Sequence, residues 1–152
     1  MLGGRMTLYH FSILIRDASR HTDNLEDRLF EAGCDDALVC FHNSAVYLEF
    51  DRTAPDAKTA IHSALANIRT AGFSDLVVQE SGVSSLSEIA ARAGLSRAAL
   101  SQFANGKRAK DFPPPVYGVA SGSALYSWRE VAQWLHGRNL ISQAQFDVAK
   151  VA

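Results

Sequence analysis

One stretch of the chain, LSEIAARAGLSRAALSQFAN at 86–105, limits the possible folds more than any other. Ile89, Ala90 and Ala93 recur at helical spacing and therefore predict a short amphipathic helix. Gly94 follows the last of these apolar positions, where the end of a helix needs a residue that tolerates positive φ. Because a second helical pattern begins directly after it, the stretch predicts two helices joined by a tight turn.

The second of these helices is predicted to have one buried face and one open face. Ser96 is a good N-cap, and Leu100 and Phe103 point inward because they lie three residues apart. An open face with short polar groups is what insertion into the DNA major groove requires. An ordinary pair of packed helices in a helical core is the alternative interpretation. The candidate DNA-contacting residues on this face are Ser96, Arg97, Ala98, Ser101, Gln102 and Asn105.

The charges are divided unequally along the chain. The net charge is only −1, but residues 1–81 hold 7 Lys and Arg against 12 Asp and Glu, a net of −5. Residues 82–140 hold 7 against 3, a net of +4. Three of these cations, Lys107, Arg108 and Lys110, come directly after the second helix, where phosphates would lie. The asymmetry favours nucleic-acid binding, and a solvated charge run is the alternative for the three cations.

The chain after these cations predicts a small hairpin, or wing. The three prolines at 113–115 forbid a helix and favour an extended path. Two short apolar runs, 116–119 and 124–126, then flank a flexible tip, where Ser121 and Ser123 are further candidate DNA contacts. A helix that opens at Ser127 or Trp128 follows, with its apolar positions on one face at Val131, Trp134 and Leu135.

This order of elements resembles a known group of DNA-binding proteins. The elements are, in order, helix, glycine turn, helix, GKR, FPPPV, wing and a WREVAQWL helix. Together they resemble the winged helix of AlpA-like phage regulators and excisionases, within the MerR-like group. The whole chain is also similar to small bacterial helix-turn-helix proteins of largely unassigned role, in which segments like 29–37 and 47–52 precede one like 86–90. The resemblance implies that residues 86–152 bind double-stranded DNA, and it implies no chemistry for the N-terminal part.

The first 80 residues predict a ferredoxin-like domain. Their strands and helices alternate as βαββαβ, which makes the whole chain an α+β protein, with 81–85 as a short linker. Two helices would cover one face of a four-stranded sheet, so the other face needs a second copy or the winged helix. The predicted strands are 9–15, 37–41, 46–51 and 76–78, and the predicted helices run from a cap at Thr22 or Asp23 to Gly33 and from Pro55 to Gly72.

No set of residues predicts catalysis, a metal site or a cofactor. The histidines at 10, 21, 42 and 62 lack the spacing of metal ligands. Cys34 and Cys40 are too few for a disulfide framework, and we interpret them as small buried hydrophobes rather than redox groups. The pair at 35–36 is interpreted as a polar turn rather than a carboxylate site, and Trp128 and Trp134 as core rather than a stacking platform.

The sequence predicts a cytoplasmic location. Hydrophobic residues make up 47% and charged residues 20% of the chain, as in ordinary globular proteins. Residues 1–6 contain one Arg, but no apolar region long enough for a signal peptide follows them. The run at 9–15 is too short and too polar to cross a membrane.

The sequence as a whole predicts a sequence-specific binder of double-stranded DNA, acting as a homodimeric transcriptional regulator. One alternative is an excisionase-like recombination or architectural factor. Another is an antitoxin-like protein whose N-terminal domain binds a protein partner. We expect self-association through residues 1–80, and association through the C-terminal helix at 142–150 is the competing geometry.

Overall fold

The computed structural model describes residues 5–152. It is a mixed α+β structure with a four-stranded antiparallel sheet and, within this range, six α-helices. Residues 1–4, which are part of the segment considered for a signal peptide, lie outside the described range. Among the described helices, none has the length and apolar character needed to cross a membrane.

The sheet contains the four predicted strands, and the first three extend beyond their predicted bounds, the second by a single residue. The strands lie in the order β2-β3-β1-β4, and each neighbouring pair is antiparallel. The bounds are β1 Thr7–Ser19, β2 Ala37–His42, β3 Ala45–Ala54 and β4 Leu76–Val78. In the central pair, Phe11 lies opposite Phe50 and Ile13 opposite Leu48, so the apolar sets of β1 and β3 share one face.

Two helices, α1 (Leu25–Glu31) and α2 (Ala57–Thr70), follow β1 and β3. The predicted cap of α1 is wrong, because Asn24 occupies that position at φ 54° and makes no side-chain cap. Thr22 instead accepts a hydrogen bond from the Ser19 N–H, which closes the turn after β1. The start of α2 is as expected near Pro55, and Asp56 caps it by accepting from the Thr59 N–H at 2.7 Å.

The N-terminal core lies between the sheet and these helices and contains one buried charged group. Cys34 lies within this core, as predicted, and burial raises the pKa of its thiol to about 11. Arg52 lies two residues after Phe50 on the same strand, and its side chain is only 11% exposed. Its guanidinium donates to both carboxylate oxygens of Asp36, at 2.7 and 2.8 Å. Asp36 is therefore half of a largely buried ion pair, which the interpretation as a polar turn missed.

The connection at 81–85, predicted as a linker, has regular structure of its own. A 3-10 turn at Gln79–Ser81 is followed by strand β5, Val83–Ser84, which pairs with β6, Tyr126–Ser127. The sequence pattern did not predict this strand, because it is only two residues long and its partner lies more than forty residues further along the chain. The pairing fixes the start of the C-terminal unit to the segment directly before residue 128.

Four helices form the C-terminal unit around a second core. They are α3 Leu86–Ala93, α4 Arg97–Ala104, α5 Trp128–Gly137 and α6 Gln143–Val151. The core includes Ile89, Leu100, Trp128 and Leu135. Trp134 packs beside it, so the interpretation of both tryptophans as packing residues is confirmed.

The last helix, α6, joins the two cores. Val148 belongs to the N-terminal core and the adjacent Ala149 to the C-terminal one, and both are fully buried. At the same helix, the Gln145 side-chain amide donates to the carbonyl of Arg92 at the end of α3. The apolar face of the C-terminal helix is therefore used within the chain rather than left for a second copy.

Candidate nucleic-acid interface

The turn between α3 and α4 is fixed by local hydrogen bonds. Ser85 and Glu88 form a capping box at the start of α3, each side chain accepting from the other residue's backbone N–H. Gly94 ends the helix at φ 70°, as predicted. Ser96 then caps α4, since its hydroxyl accepts from the Ala99 N–H at 3.1 Å. The two helices are thus held at a defined angle by a short, well-bonded turn.

Helix α4 has the predicted buried face. Leu100 is fully buried, and Phe103 packs edge-on against Trp134 with ring centroids 5.0 Å apart. Phe112, which precedes the prolines, makes similar edge contacts with Trp134 and Tyr126. This aromatic cluster supports α4 from below and leaves its other face towards solvent.

The predicted contact residues on α4 share that open face. Ser101 is half-buried, and the others are exposed: Ser96, Arg97, Ala98, Gln102 and Asn105. The long side chains of Arg97 and Gln102 are both exposed, five residues apart along the helix, and therefore lie towards opposite edges of the open side of α4.

Arg97 is held by two side chains, which the sequence did not predict. Its Nε donates to the Ser87 hydroxyl at 3.0 Å, and its Nη1 donates to Ser101. Ser87 is on α3, so the guanidinium bridges both helices of the motif. An arginine fixed in this way loses less conformational entropy when it binds than a freely rotating one.

The three cations after α4 are positioned by a helix-ending motif. Gly106 has φ 82°, and the N–H groups of Gly106 and Lys107 bond to the carbonyls of Phe103 and Gln102. This pair of bonds is a Schellman motif, which reverses the chain directly after the helix. The Arg108 guanidinium lies over the Phe103 ring at 4.9 Å, while Lys107 and Lys110 are exposed.

The predicted wing is a tight loop with a single bridge rather than a two-stranded hairpin. Tyr117 and Leu125 form an isolated antiparallel bridge, and the Ser123 N–H donates to the Gly118 carbonyl. The first run cannot continue as a strand because Gly118 turns the chain at φ 75°. The end of the second run pairs with β5 instead. Ser121 and Ser123 are exposed at the tip, as expected.

The loop tip lies next to the open face of α4. A shallow pocket of about 300 Å³ is lined by Arg97 together with Gly122 and Ser123. Of the predicted residues, the structure therefore brings Arg97 and Ser123 to one surface.

One acidic residue among these cations was missed. Asp111 accepts hydrogen bonds from the Trp134 indole N–H and from Arg138, each at 3.1 Å, and these bonds hold the pKa of its carboxyl below the usual range. The Asp111 carboxylate is therefore paired with groups of the C-terminal unit itself. The acidic residue directly after Lys110 is visible in the sequence, but its role could not be predicted because its partners lie more than twenty residues further along the chain.

Comparison with protein-family models, with curated proteins and with solved structures found no match to this chain.

Proposed function

We propose that this protein binds double-stranded DNA sequence-specifically through α4 and acts as a transcriptional regulator. The observation that carries the proposal is the open face of α4. Its exposed polar side chains lie between the loop tip and the cations at 107–110, whose backbone is fixed by hydrogen bonds to the end of the helix. Helices of this kind insert into the major groove, with flanking cations on the phosphates. Under the same proposal, the C-terminal unit is a winged helix of the AlpA or MerR-like kind.

Arg97 and Gln102 are assigned to base readout. Arginine can pair bidentately with guanine and glutamine with adenine, and each pair is worth about 1–3 kcal/mol of discrimination. The bond from Arg97 to Ser87 supports this role because it presents the guanidinium in one direction before DNA arrives.

Lys107, Arg108 and Lys110 are assigned to phosphate contacts. They add affinity without sequence preference, since each cation that neutralises a phosphate releases counterions. The acidic N-terminal half must face away from the duplex, because its net charge of −5 would repel phosphates.

The N-terminal half is proposed to be a ferredoxin-like domain that mediates dimerisation. Its strand order and the two helices on one face support that assignment. The opposite face exposes Leu8 and Leu38, which are 56% and 63% accessible. A dimer formed there would set two recognition helices about 34 Å apart, on successive major grooves.

A selection experiment with the full-length protein and random duplex DNA tests the proposal. We expect one enriched motif for the wild type and relaxed preference at one position for Gln102→Ala. For the triple alanine variant at 107, 108 and 110, the slope of log K against log salt should fall by roughly 3. The matched control replaces Lys58 and Arg69, which are exposed on α2, and should leave that slope unchanged.

Absence of any enriched motif would contradict sequence-specific binding. A wild-type salt slope in the triple variant would show that the three cations remain in solvent.

A further inference from the structure

A cleft of about 450 Å³ lies between the sheet and the C-terminal unit. Ser12 and Glu49 line it from the sheet and Glu80 from the connection, while Arg92 and Trp128 line it from α3 and α5. Both units and their connection therefore contribute to the same cavity, which the proposed DNA interface does not use.

Glu80 is the most buried acid in this cleft. The residue is only 5% exposed, and its Oε1 accepts a hydrogen bond from the Ser12 N–H at the edge of β1. Its second oxygen, Oε2, has no hydrogen-bond partner within residues 5–152, but it is not sealed inside the protein either. The free oxygen therefore opens onto the cleft.

The charges around the cleft are unbalanced. Three carboxylates, on Glu49, Glu80 and Glu88, line the cleft with one guanidinium, on Arg92, and with the imidazole of His10, which pairs with Asp51. None of the three forms an ion pair within 4 Å with Arg92 or with another described cation. The Arg92 guanidinium is instead engaged by the Ser84 hydroxyl and by the Trp128 ring, 4.9 Å away. Arg92 and His10 act on Glu80 from a distance, but none of the three acids has a cation in direct contact.

A second group in the cleft wall also lacks a partner. Trp128 is 1% exposed, and its indole Nε1 is the one fully buried side-chain N or O atom among residues 5–152 that makes no hydrogen bond. This N–H donates and has no contact with solvent, so a cation in the cleft cannot be its partner, and Trp128 is not part of the proposed contacts.

The carboxylates of the cleft suit an organic cation better than a metal ion. Within the described range, no three His, Cys, Asp or Glu side chains are arranged to hold a metal. Separated carboxylates instead suit a cation whose charge is spread over N–H donors, such as an amine or a guanidine.

We propose that this cleft binds a small organic cation, which donates to Glu80 Oε2 and is neutralised by Glu49 and Glu88. The cation replaces the water that a charged carboxylate would otherwise need. Burial raises the pKa of Glu80, and a bound cation opposes that effect. The inference concerns the cleft alone and does not rest on DNA binding.

Calorimetric titration of the full-length protein with agmatine, a short chain bearing an amino and a guanidino group, tests this proposal. We expect saturable binding of agmatine and none of 1,4-butanediol, which is neutral. Glu80→Gln retains an acceptor for the Ser12 N–H and should raise the Kd by at least roughly tenfold, as loss of a charge-assisted hydrogen bond does.

Two further variants make the result decisive. Glu49→Gln lies at the more open part of the cleft and should also weaken binding, and it serves as the test if Glu80→Gln fails to fold. Glu26→Gln removes an exposed acid on α1, outside the cleft, and should bind like the wild type. No heat at millimolar agmatine, or equal affinity in all variants, would overturn the proposal.

Discussion

At the scale of single residues, one glycine of the loop between α4 and α5 determines how the loop closes. An added Cβ at Gly118 would come 2.1 Å from the carbonyl oxygen of Ser123, and φ there is +75°. Gly122 also has a positive φ, of +79°, but nothing lies within 4 Å of its added Cβ. The two positions therefore separate backbone strain from steric overlap.

Gly122→Ala should lower the free energy of unfolding by about 1–2 kcal/mol, the cost of a left-handed conformation for a residue with a Cβ. Gly118→Ala should lower it further, because the carbonyl must also move. Urea unfolding followed by tryptophan fluorescence measures both. Gly137→Ala is the control, since no positive φ or close atom is found there. Equal losses at 118 and 122 would contradict this account of the loop.

At the scale of elements, Arg52 connects β3 to the segment between α1 and β2 and to helix α2. Besides Asp36, its guanidinium donates to the Gly33 carbonyl after α1 and to Ser63 and Asn67 on α2. All these bonds are 3.0 Å or shorter, so the buried charge is well satisfied.

Asp36→Ala should lower the free energy of unfolding by about 3 kcal/mol, because it leaves a buried guanidinium without its counter-charge. Chemical denaturation measures this loss. Asp35→Ala removes the exposed neighbouring carboxylate and should change stability by less than about 0.5 kcal/mol. The double variant Asp36→Ala with Arg52→Met should recover part of the loss. If the double variant is no more stable than Asp36→Ala alone, the unpaired charge of Arg52 is not the cause of the lost stability.

At the scale of the whole molecule, the junction between the two units contains an acid that opposes folding when it is ionised. Desolvation raises the pKa of Glu80 above its ordinary value of 4.5, although the Ser12 N–H, Arg92 and His10 act in the other direction. The folded protein therefore binds this proton more tightly than the unfolded chain does. Its contribution to stability is present at low pH and is lost as pH rises through the folded pKa.

Glu80→Gln should therefore be more stable than the wild type at pH 7, and the difference should disappear below about pH 4, where Glu80 is protonated in both states. Denaturation midpoints of the two proteins across this range provide the measurement. Asp17 and Asp56, whose pKa values are lowered by backbone N–H donors, lose their stabilising effect at low pH equally in both proteins. A variant less stable than the wild type at pH 7 would contradict the sign.

The proposed dimer is also a property of the whole molecule. Leu38→Lys places a charge on the exposed sheet face and should convert a dimer into a monomer, as light scattering would detect. Val119→Lys, at a similarly exposed position on the loop, is the matched control and should leave the dimer intact. A wild-type protein that is monomeric at micromolar concentration would refute the dimer.

Much of the local structure was determined by the sequence alone. Alternation in β1 and β3, the helical spacing of Leu100 and Phe103, and the positive φ at Gly94 depend on neighbouring residues, so a local pattern could predict them. The exposed face of α4 followed from the same spacing. These features carry the proposed DNA interface.

The tertiary structure alone decided the partners of the polar groups and the joint between the units. Arg52 with Asp36, Arg97 with Ser87, β5 with β6 and Val148 in the N-terminal core all join segments that are separated along the chain. Periodicity cannot report such pairs, because it records which face a residue occupies and not what lies opposite. The cleft at Glu80 belongs to this second group, since its walls come from both units.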